Sequence, residues 1–538
     1  MEHEEILSRL LPRGCQLHEE QGAAIDNILS GRNTLCLMPT GSGKSLIFQY
    51  AAARMERTAL VLSPLRALMS QQASDLVDFG FTSAALHECG DYRAYHNALR
   101  DFCTGVLPSF LYMSPERTAA DGLLCHILGR KRDQIGLIVI DEAHCVSQWG
   151  ETFRPLYRMI PSFIGNIFRP SAVPPVLCLT ATLNSDDENE ICKTFQISAS
   201  GRIKSARLRR KNIALSFELL DDQEAKEGRL ERILKDHAGG KVLVYAHIVS
   251  NREYGTRALA RKFADRGFCC DYFDGQASEE HKASVFQRFL KGDLPIVFAT
   301  SAFGLGVHVP DIRAVVHYLL PESVEQYYQE VGRAGRDGGP ASAYLFFTET
   351  NLKVRRYLLQ KSVPTPEHVD QIFEEHFAPQ SKAYVTSYDP YKDNSEQSPE
   401  LSVFVALVEA GVINVAGCGI DNIKCLVPTR GHCPTAWQRY EQSSKTGSVV
   451  IVSRKAVQAP AKIMKEVFNE FIDGKIKFAT APNKVIFYSH ANPYASRRES
   501  IIADFEQKRR KRETNFERFV SIIRSDDPEQ AIYSSLGI

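Results

Sequence analysis

The chain has 538 residues, room for about three or four domains of ordinary size, and is 44% hydrophobic and 24% charged. That composition excludes wholesale disorder and fibrous repeats. The 65 basic against 64 acidic residues, a net charge of +1, exclude a histone-like polycation but leave room for local basic surfaces. The 13 cysteines have no regular spacing and read as free thiols in a reducing compartment. The N-terminal MEHEEILSRLLPRGC is unlike a secretory signal, and no apolar run reaches the roughly 18 residues of a membrane span, so no membrane partner is expected.

From the N-terminus to about residue 350, short β-branched runs alternate with segments long enough for crossover helices. TLCLM (34–38), TALVLS (58–63), SFLYMS (109–114), GLIVID (136–141) and PVLCLT (175–180) are predicted as buried parallel strands. KVLVYA (241–246), CDYFDG (270–275), PIVFAT (295–300) and AVVHYL (314–319) repeat the pattern. The fold class is therefore α/β, with two parallel-sheet domains over 1–208 and 209–350, divided near the basic stretch SARLRRKNIALSFEL (205–219). Residues 351–400 are predicted as a helical connector running into a Ser-, Pro- and charge-rich linker.

Residues 401–538 are predicted as a smaller α+β accessory domain. LSVFVALVEAGVINV (401–415) reads as a helix ended by Gly411 and a short strand, followed by a helix over 454–473 and a strand at KVIFYS (484–489). The last segment, 497–524, is apolar at 501, 502, 505, 516, 519, 520 and 523, with KRRKR (508–512) between. The basic run either contacts a DNA backbone or forms a solvated helix face. Helix–strand alternation with a basic surface is compatible with a winged helix.

MPTGSGKS (38–45) follows a predicted strand and precedes a helical run, the context of a phosphate-binding loop. Gly41 and Gly43 let the backbone over Thr40, Gly41, Ser42 and Gly43 curl so that its N–H groups face phosphate oxygens. Lys44 brings a point charge to the β and γ phosphates of ATP, and Ser45 offers a hydroxyl to Mg²⁺. IVIDEAH (138–144) sets two carboxylates at a strand end, Asp141 suited to Mg²⁺ and Glu142 to activating water. Either motif alone also fits a surface turn or a helix cap; together they point to a nucleotide hydrolase. In QEVGRAGRDG (329–338), Arg333 and Arg336 are three apart, so on a helix they share a face and could reach a γ phosphate across a cleft. Gly332, Gly335 and Gly338 suit close backbone packing better than a surface helix.

The phosphate-binding loop, SPLRALMSQQ (63–72), DEAH, LTAT (179–182), ATSAFGLGV (299–307) and QEVGRAGRDG occur in the order typical of superfamily 2 helicases. DEAHCVSQWGETFRPLY (141–157), LHEEQ (17–21) and VEQYYQEVGRAGRDG (324–338) resemble the RecQ DNA helicases over roughly residues 10–350. The resemblance implies two RecA-like motor domains, ATP and Mg²⁺ as ligands, and single-stranded, forked or tailed duplex DNA as partner. It also implies 3′ to 5′ movement, work in genome maintenance, and an intracellular location, cytoplasmic in a bacterium or nuclear in a eukaryote. Carried over residue by residue, Gln21 would read adenine, and Arg333, Arg336 and Gln329 would complete the site from the second domain. His144, Thr180 and Gln329 would connect it to DNA, and Trp149, Phe153 and Arg154 would sense a single strand, with the aromatics stacking on bases.

Several positions depart from the family pattern. His18 stands where Arg is usual, Thr152 replaces an acidic residue, and GVHVPD (306–311) replaces the usual loop. Residues 351–417 contain no Cys, so the family's four-cysteine zinc module is missing from its usual place. Cys418, Cys425, His432 and Cys433 lack the short Cys-x₂₋₄-Cys knuckle of a compact site, and no zinc is expected there. An ATPase motor subunit of a larger DNA-processing or defence assembly, with protein partners on the C-terminal region, is the alternative to a helicase. A non-enzymatic scaffold is disfavoured because the candidate catalytic set is complete.

Overall fold

The apolar runs of the first domain become strands buried on both faces, because crossover helices cover each side of a parallel sheet. In the computed structural model the strands are β1 (Thr34–Leu37), β2 (Thr58–Leu62), β3 (Ser83–Leu86), β4 (Phe110–Met113), β5 (Ile135–Ile140), β6 (Val176–Thr180) and β7 (Arg202–Lys204). They form one sheet in the order β3-β4-β2-β5-β6-β1-β7, parallel at every pairing. The described residues are 2–11, 16–39, 41–64, 66–86, 92–146, 155–169, 171–205, 209–249, 251–304, 309–379, 386–388, 398–421, 423–426, 441–444, 447–452, 460–478 and 483–536.

The second sheet contains β8 (Ile213–Leu219), β9 (Lys241–Tyr245), β10 (Cys270–Phe273), β11 (Ile296–Ala299), β12 (Ile312–His317) and β13 (Ala341–Phe347). Its order is β10-β11-β9-β12-β13-β8, again all parallel. Four of these strands have no counterpart among the predicted runs: β3, β7, β8 and β13. Three are edge strands with half-exposed residues, so their apolar pattern is diluted. β8 even begins inside the basic stretch that separates the domains.

The C-terminal region carries two small antiparallel sheets. One orders β14 (Thr386–Tyr388), β20 (Asn483–His490) and β15 (Ile413–Asp421) as β14-β20-β15. The other orders β16 (Ile423–Leu426), β17 (Glu441–Ser444), β18 (Gly447–Val452) and β19 (Lys477–Phe478) as β17-β18-β16-β19. The helix Pro399–Glu409 runs into the first of them, and Gly411 at φ +69° supplies the left-handed turn at its end. Helix Pro460–Ile472 inserts Val467, Phe468 and Phe471 into the first domain's core beside Leu99, Phe102 and Leu128. The region therefore folds onto the first parallel-sheet domain rather than hanging from it.

The basic run at 508–512 requires a correction. It sits in the middle of the 26-residue helix Arg498–Ile523 and is largely consumed by ion pairs within the protein. Only Arg510, 73% exposed in its side chain, keeps the solvated character expected of the whole run. No helix among the described residues is long and apolar enough to cross a membrane.

Candidate functional site at the interdomain cleft

Strand order brings the motifs together. β6 lies between β1 and β5, so the carboxyl ends of three adjacent strands deliver the phosphate-binding loop, Thr180 and Asp141 to one edge of the sheet. Met38 N–H donates to the Thr180 carbonyl at 3.1 Å, and Ala143 N–H to the Leu179 carbonyl at 2.8 Å, which continues the ladder into the loops.

The loop curls as its glycines require. Gly41 and Gly43 have φ of +80° and +76°, and a Cβ on Gly43 would lie 2.8 Å from Gln21 Nε2. Gln21, 3% exposed, donates through that nitrogen to the carbonyls of Ser42 (3.0 Å) and Gly43 (3.2 Å), and its Oε1 accepts from His18 N–H at 2.8 Å. Lys44, the first residue of helix Lys44–Met55, donates from Nζ to the Met38 carbonyl at 3.1 Å. Burial lowers its pKa, opposed by the nearby charges of Glu142 and Asp141. Ser45 Oγ accepts from Gln72 Nε2 at 3.0 Å.

Asp141 and Glu142 stand side by side beyond β5. Asp141 accepts from Ser63 Oγ (3.1 Å) and from Glu142 N–H (3.1 Å). Burial and the adjacent Glu142 charge raise its pKa to about 6. Glu142 occupies the left-handed region at φ +49°, a strained conformation for a residue with a Cβ. That turn aims its carboxylate at His144, whose Nδ1 lies 3.3 Å from Oε2. Burial opposes ionisation of Glu142, but His144 and Lys44 outweigh it and hold the carboxyl low. Two half-buried carboxylates beside a serine hydroxyl are a hard, oxygen-rich donor set, which fits Mg²⁺.

The second domain faces this cluster. Gln329 in helix Val324–Val331 donates from Nε2 to Thr182 Oγ1 at 3.1 Å and lies 3.4 Å from both ring nitrogens of His144. His144 Nδ1 in turn lies 3.1 Å from Thr180 Oγ1. Arg333 and Arg336 do not share a helical face as expected. The helix ends at Val331, and both arginines ride on the turns that follow. Gly335 imposes the break: its φ is +52°, its N–H donates to Ile312 at 2.9 Å, and a Cβ there would lie 2.6 Å from the Gly339 carbonyl oxygen. Arg210 and Asn212 clamp the Gly335 carbonyl at 2.6 and 2.9 Å. Arg333 Nε is buried and has no hydrogen-bond acceptor, as suits a group built to meet an anion. Burial and the neighbouring Arg333 press Arg336 below its ordinary range, to about 10.

Behind Gln329 lies a polar cluster that sequence reasoning missed. Glu330 Oε2 lies 2.9 Å from His317 Nε2 and 3.3 Å from His247 Nε2, and Glu330 Oε1 accepts from Gln326 Nε2 at 3.0 Å. Tyr245 stacks on both histidines at 5.5 Å between ring centroids. Thr182, Ser63 and Gln72 were also missed as individual residues, although each falls inside a motif that was recognised. Thr40, Trp149, Phe153 and Arg154 lie outside the described residues, as do His432 and Cys433. Among the described residues no group of three or more His, Cys, Asp and Glu side chains is arranged to hold a metal.

Two parallel-sheet domains with a phosphate-binding loop, an acidic strand end and facing arginines define a helicase-type motor. The DEAD/DEAH box helicase family matches residues 18–191, and the helicase conserved C-terminal domain matches 225–338. The chain is 32% identical over 343 residues to the ATP-dependent DNA helicase RecQ of Bacillus subtilis, a match covering 64% of this chain and 56% of that one. It is 31% identical over 349 residues to the ATP-dependent DNA helicase RecQ of Synechocystis, covering 64% of this chain and 72% of that one. The solved structure of Mss116p bound to ssRNA and AMP-PNP shares the fold at a TM-score of 0.53 and 18% identity, over 70% of this chain and 83% of that one. The chain belongs to the RecQ-like helicases of superfamily 2. It spans just over half the length of the B. subtilis relative, and the match leaves about a third of this chain without a counterpart in that alignment.

Proposed function

We propose that the protein is an ATP-dependent DNA helicase that moves 3′ to 5′ along single-stranded DNA and separates duplex ahead of it. The observation that carries this reading is the convergence, across one cleft, of Lys44, Asp141 and Glu142 from the first domain with Gln329, Arg333 and Arg336 from the second. Gln21 would bind the adenine, and the backbone of Thr40, Gly41, Ser42 and Gly43 with Lys44 would hold the phosphates. Ser45 and Asp141 would hold Mg²⁺, which supplies charge neutralisation on the β and γ phosphates when bound. Glu142, kept ionised by His144 and Lys44, accepts a proton from the attacking water. Arg333 and Arg336 meet the charge that spreads over the γ-phosphoryl oxygens, and leave it when the cleft reopens.

The link to DNA would pass through the contacts that already cross the cleft. Gln329 touches Thr182 and His144, and His144 touches both Glu142 and Thr180, so the state of the nucleotide would be passed to the sequence that follows His144, which includes Trp149, Phe153 and Arg154. Strand polarity follows the RecQ resemblance. The test is unwinding of duplexes with a 3′ tail, a 5′ tail or a fork, run beside ATP hydrolysis on the same substrates. The expected result is ATP-dependent unwinding of 3′-tailed and forked duplex. A requirement for a 5′ tail, or a preference for RNA, would contradict the proposal, and hydrolysis without any unwinding would favour the motor-subunit alternative.

A further inference from the structure

The apolar stripe of helix Arg498–Ile523 is cut in two by its basic centre, and the halves are buried in different bodies. Ile501 and Phe505 pack with Phe377, Phe404 and Val405 in a core that also takes in Leu156 and Met159 of the first domain. Phe516, Phe519, Val520 and Ile523 pack in the core of the second domain. Phe519 lies 5.7 Å, between ring centroids, from Tyr327, two residues before Gln329 on the same helix. One continuous 26-residue helix is thus rooted on both sides of the cleft.

Its basic centre adds polar ties to both sides. Lys511 Nζ lies 2.8 Å from Asp187 Oδ1 and 4.0 Å from Glu190 Oε2, both in the first domain's helix Ser185–Thr194. Arg512 Nη2 lies 2.5 Å from Glu322 Oε2 in the second domain and also bonds Ser362. Arg509 donates to the Pro364 carbonyl at 3.1 Å. Asp187 is 0% exposed and is fixed by Asn184, which donates to it at 2.6 Å and accepts from its N–H at 2.9 Å. The same short segment begins with Thr182, the acceptor of Gln329. Two cross-cleft contacts therefore grip residues 182–187, one made by the candidate ATP machinery and one by the C-terminal helix.

We propose that helix Arg498–Ile523 is an intramolecular strap that holds the two motor domains in apposition before nucleotide binds, with the Lys511–Asp187 ion pair as its latch. The proposal rests on the reading of the cleft as an ATP site. A motor whose competent, apposed state is already populated binds ATP at lower concentration, because less of the binding energy goes into closing it. Lys511 is then a positioning residue that acts through Asp187 on the segment that receives Gln329.

The test uses the full chain with donor and acceptor dyes attached through genetically encoded azides at Val106 of the first domain and Arg252 of the second, so that native cysteines are left alone. In nucleotide-free protein, Lys511→Ala and Asp187→Asn should each shift the single-molecule FRET distribution toward longer distance, and Lys511→Arg should not. The apparent KM for ATP should rise by about three- to tenfold in the first two variants with kcat within about twofold of wild type, as expected when only the competent fraction falls. The double variant should be no worse than either single one, since both remove the same contact. An unchanged FRET distribution in Lys511→Ala and Asp187→Asn, at unchanged Tm, would overturn the strap. Failure of the wild-type chain to hydrolyse ATP would strike the functional reading instead, and the FRET arm would still report on the latch.

Discussion

The end of β5 and the helix Arg498–Ile523 present opposite relations between sequence and place in the fold. At β5, six apolar residues run into Asp141 and Glu142, and the charge change alone locates a strand end where chemistry can be done. In the helix, five consecutive basic residues suggest a nucleic-acid or solvent face, yet Lys508, Lys511 and Arg512 are paired to carboxylates and Lys508 is only 6% exposed. The difference is one of range. A strand-end carboxylate is explained by its own neighbours in the chain, whereas Lys511 is explained by Asp187, brought to it from the far side of the cleft.

That contrast can be broken at its strong end first. Lys44→Ala should reduce DNA-stimulated ATP hydrolysis by at least about a thousandfold, because Nζ is the cation that the phosphate-binding loop itself brings to the phosphates, while the Tm stays within a few degrees of wild type. Undiminished turnover would mean that the loop is a structural turn. Arg333→Ala should cost about a hundred- to a thousandfold in kcat with ATP binding changed only a few-fold, since the arginine acts on charge that develops in the transition state. A loss confined to KM would place Arg333 in ground-state binding only.

Smaller effects test the architecture around the arginines. Gly335→Ala should destabilise the second domain by about 2 kcal/mol or more, because the new Cβ meets the Gly339 carbonyl oxygen and the backbone is left-handed. Chemical denaturation reads this directly, and an unchanged midpoint would show that the turn can relax. The smallest effect concerns pH. Burial holds His317 below an ordinary histidine, against Glu330, in a pocket shared with His247, Tyr245 and Tyr327. The unfolded chain then takes up its proton first, so stability falls as the pH drops through roughly 6.5 and below. His317→Asn should flatten the fall in Tm between pH 7.5 and 5.5, and an equally steep fall would assign the proton to another group.

Legibility followed the same division. Apart from β13, the central strands of both sheets and the residues at their carboxyl ends could be read because burial on two faces and abrupt polar breaks leave local signatures. Edge strands β3, β7 and β8 could not, since half-exposed residues alternate too weakly to stand out. Arg333 and Arg336 were found by spacing but placed on a helix that ends at Val331, ahead of the left-handed turn at Gly335. The His247–Glu330–His317 cluster was invisible because its members come from β12, the loop after β9 and a helix, and meet only when the sheet is assembled. Helix Pro460–Ile472 was legible as a helix but not as a piece of the first domain's core.

The most direct measurement compares phosphate release by the wild-type chain and Glu142→Gln, with and without single-stranded DNA, at saturating ATP and Mg²⁺, alongside ATP binding by each. The expected result is DNA-stimulated release by the wild type and none above background from the variant, with binding retained in both. Equal release by the two proteins, or release indifferent to DNA, would contradict the placement of the hydrolytic site at the end of β5.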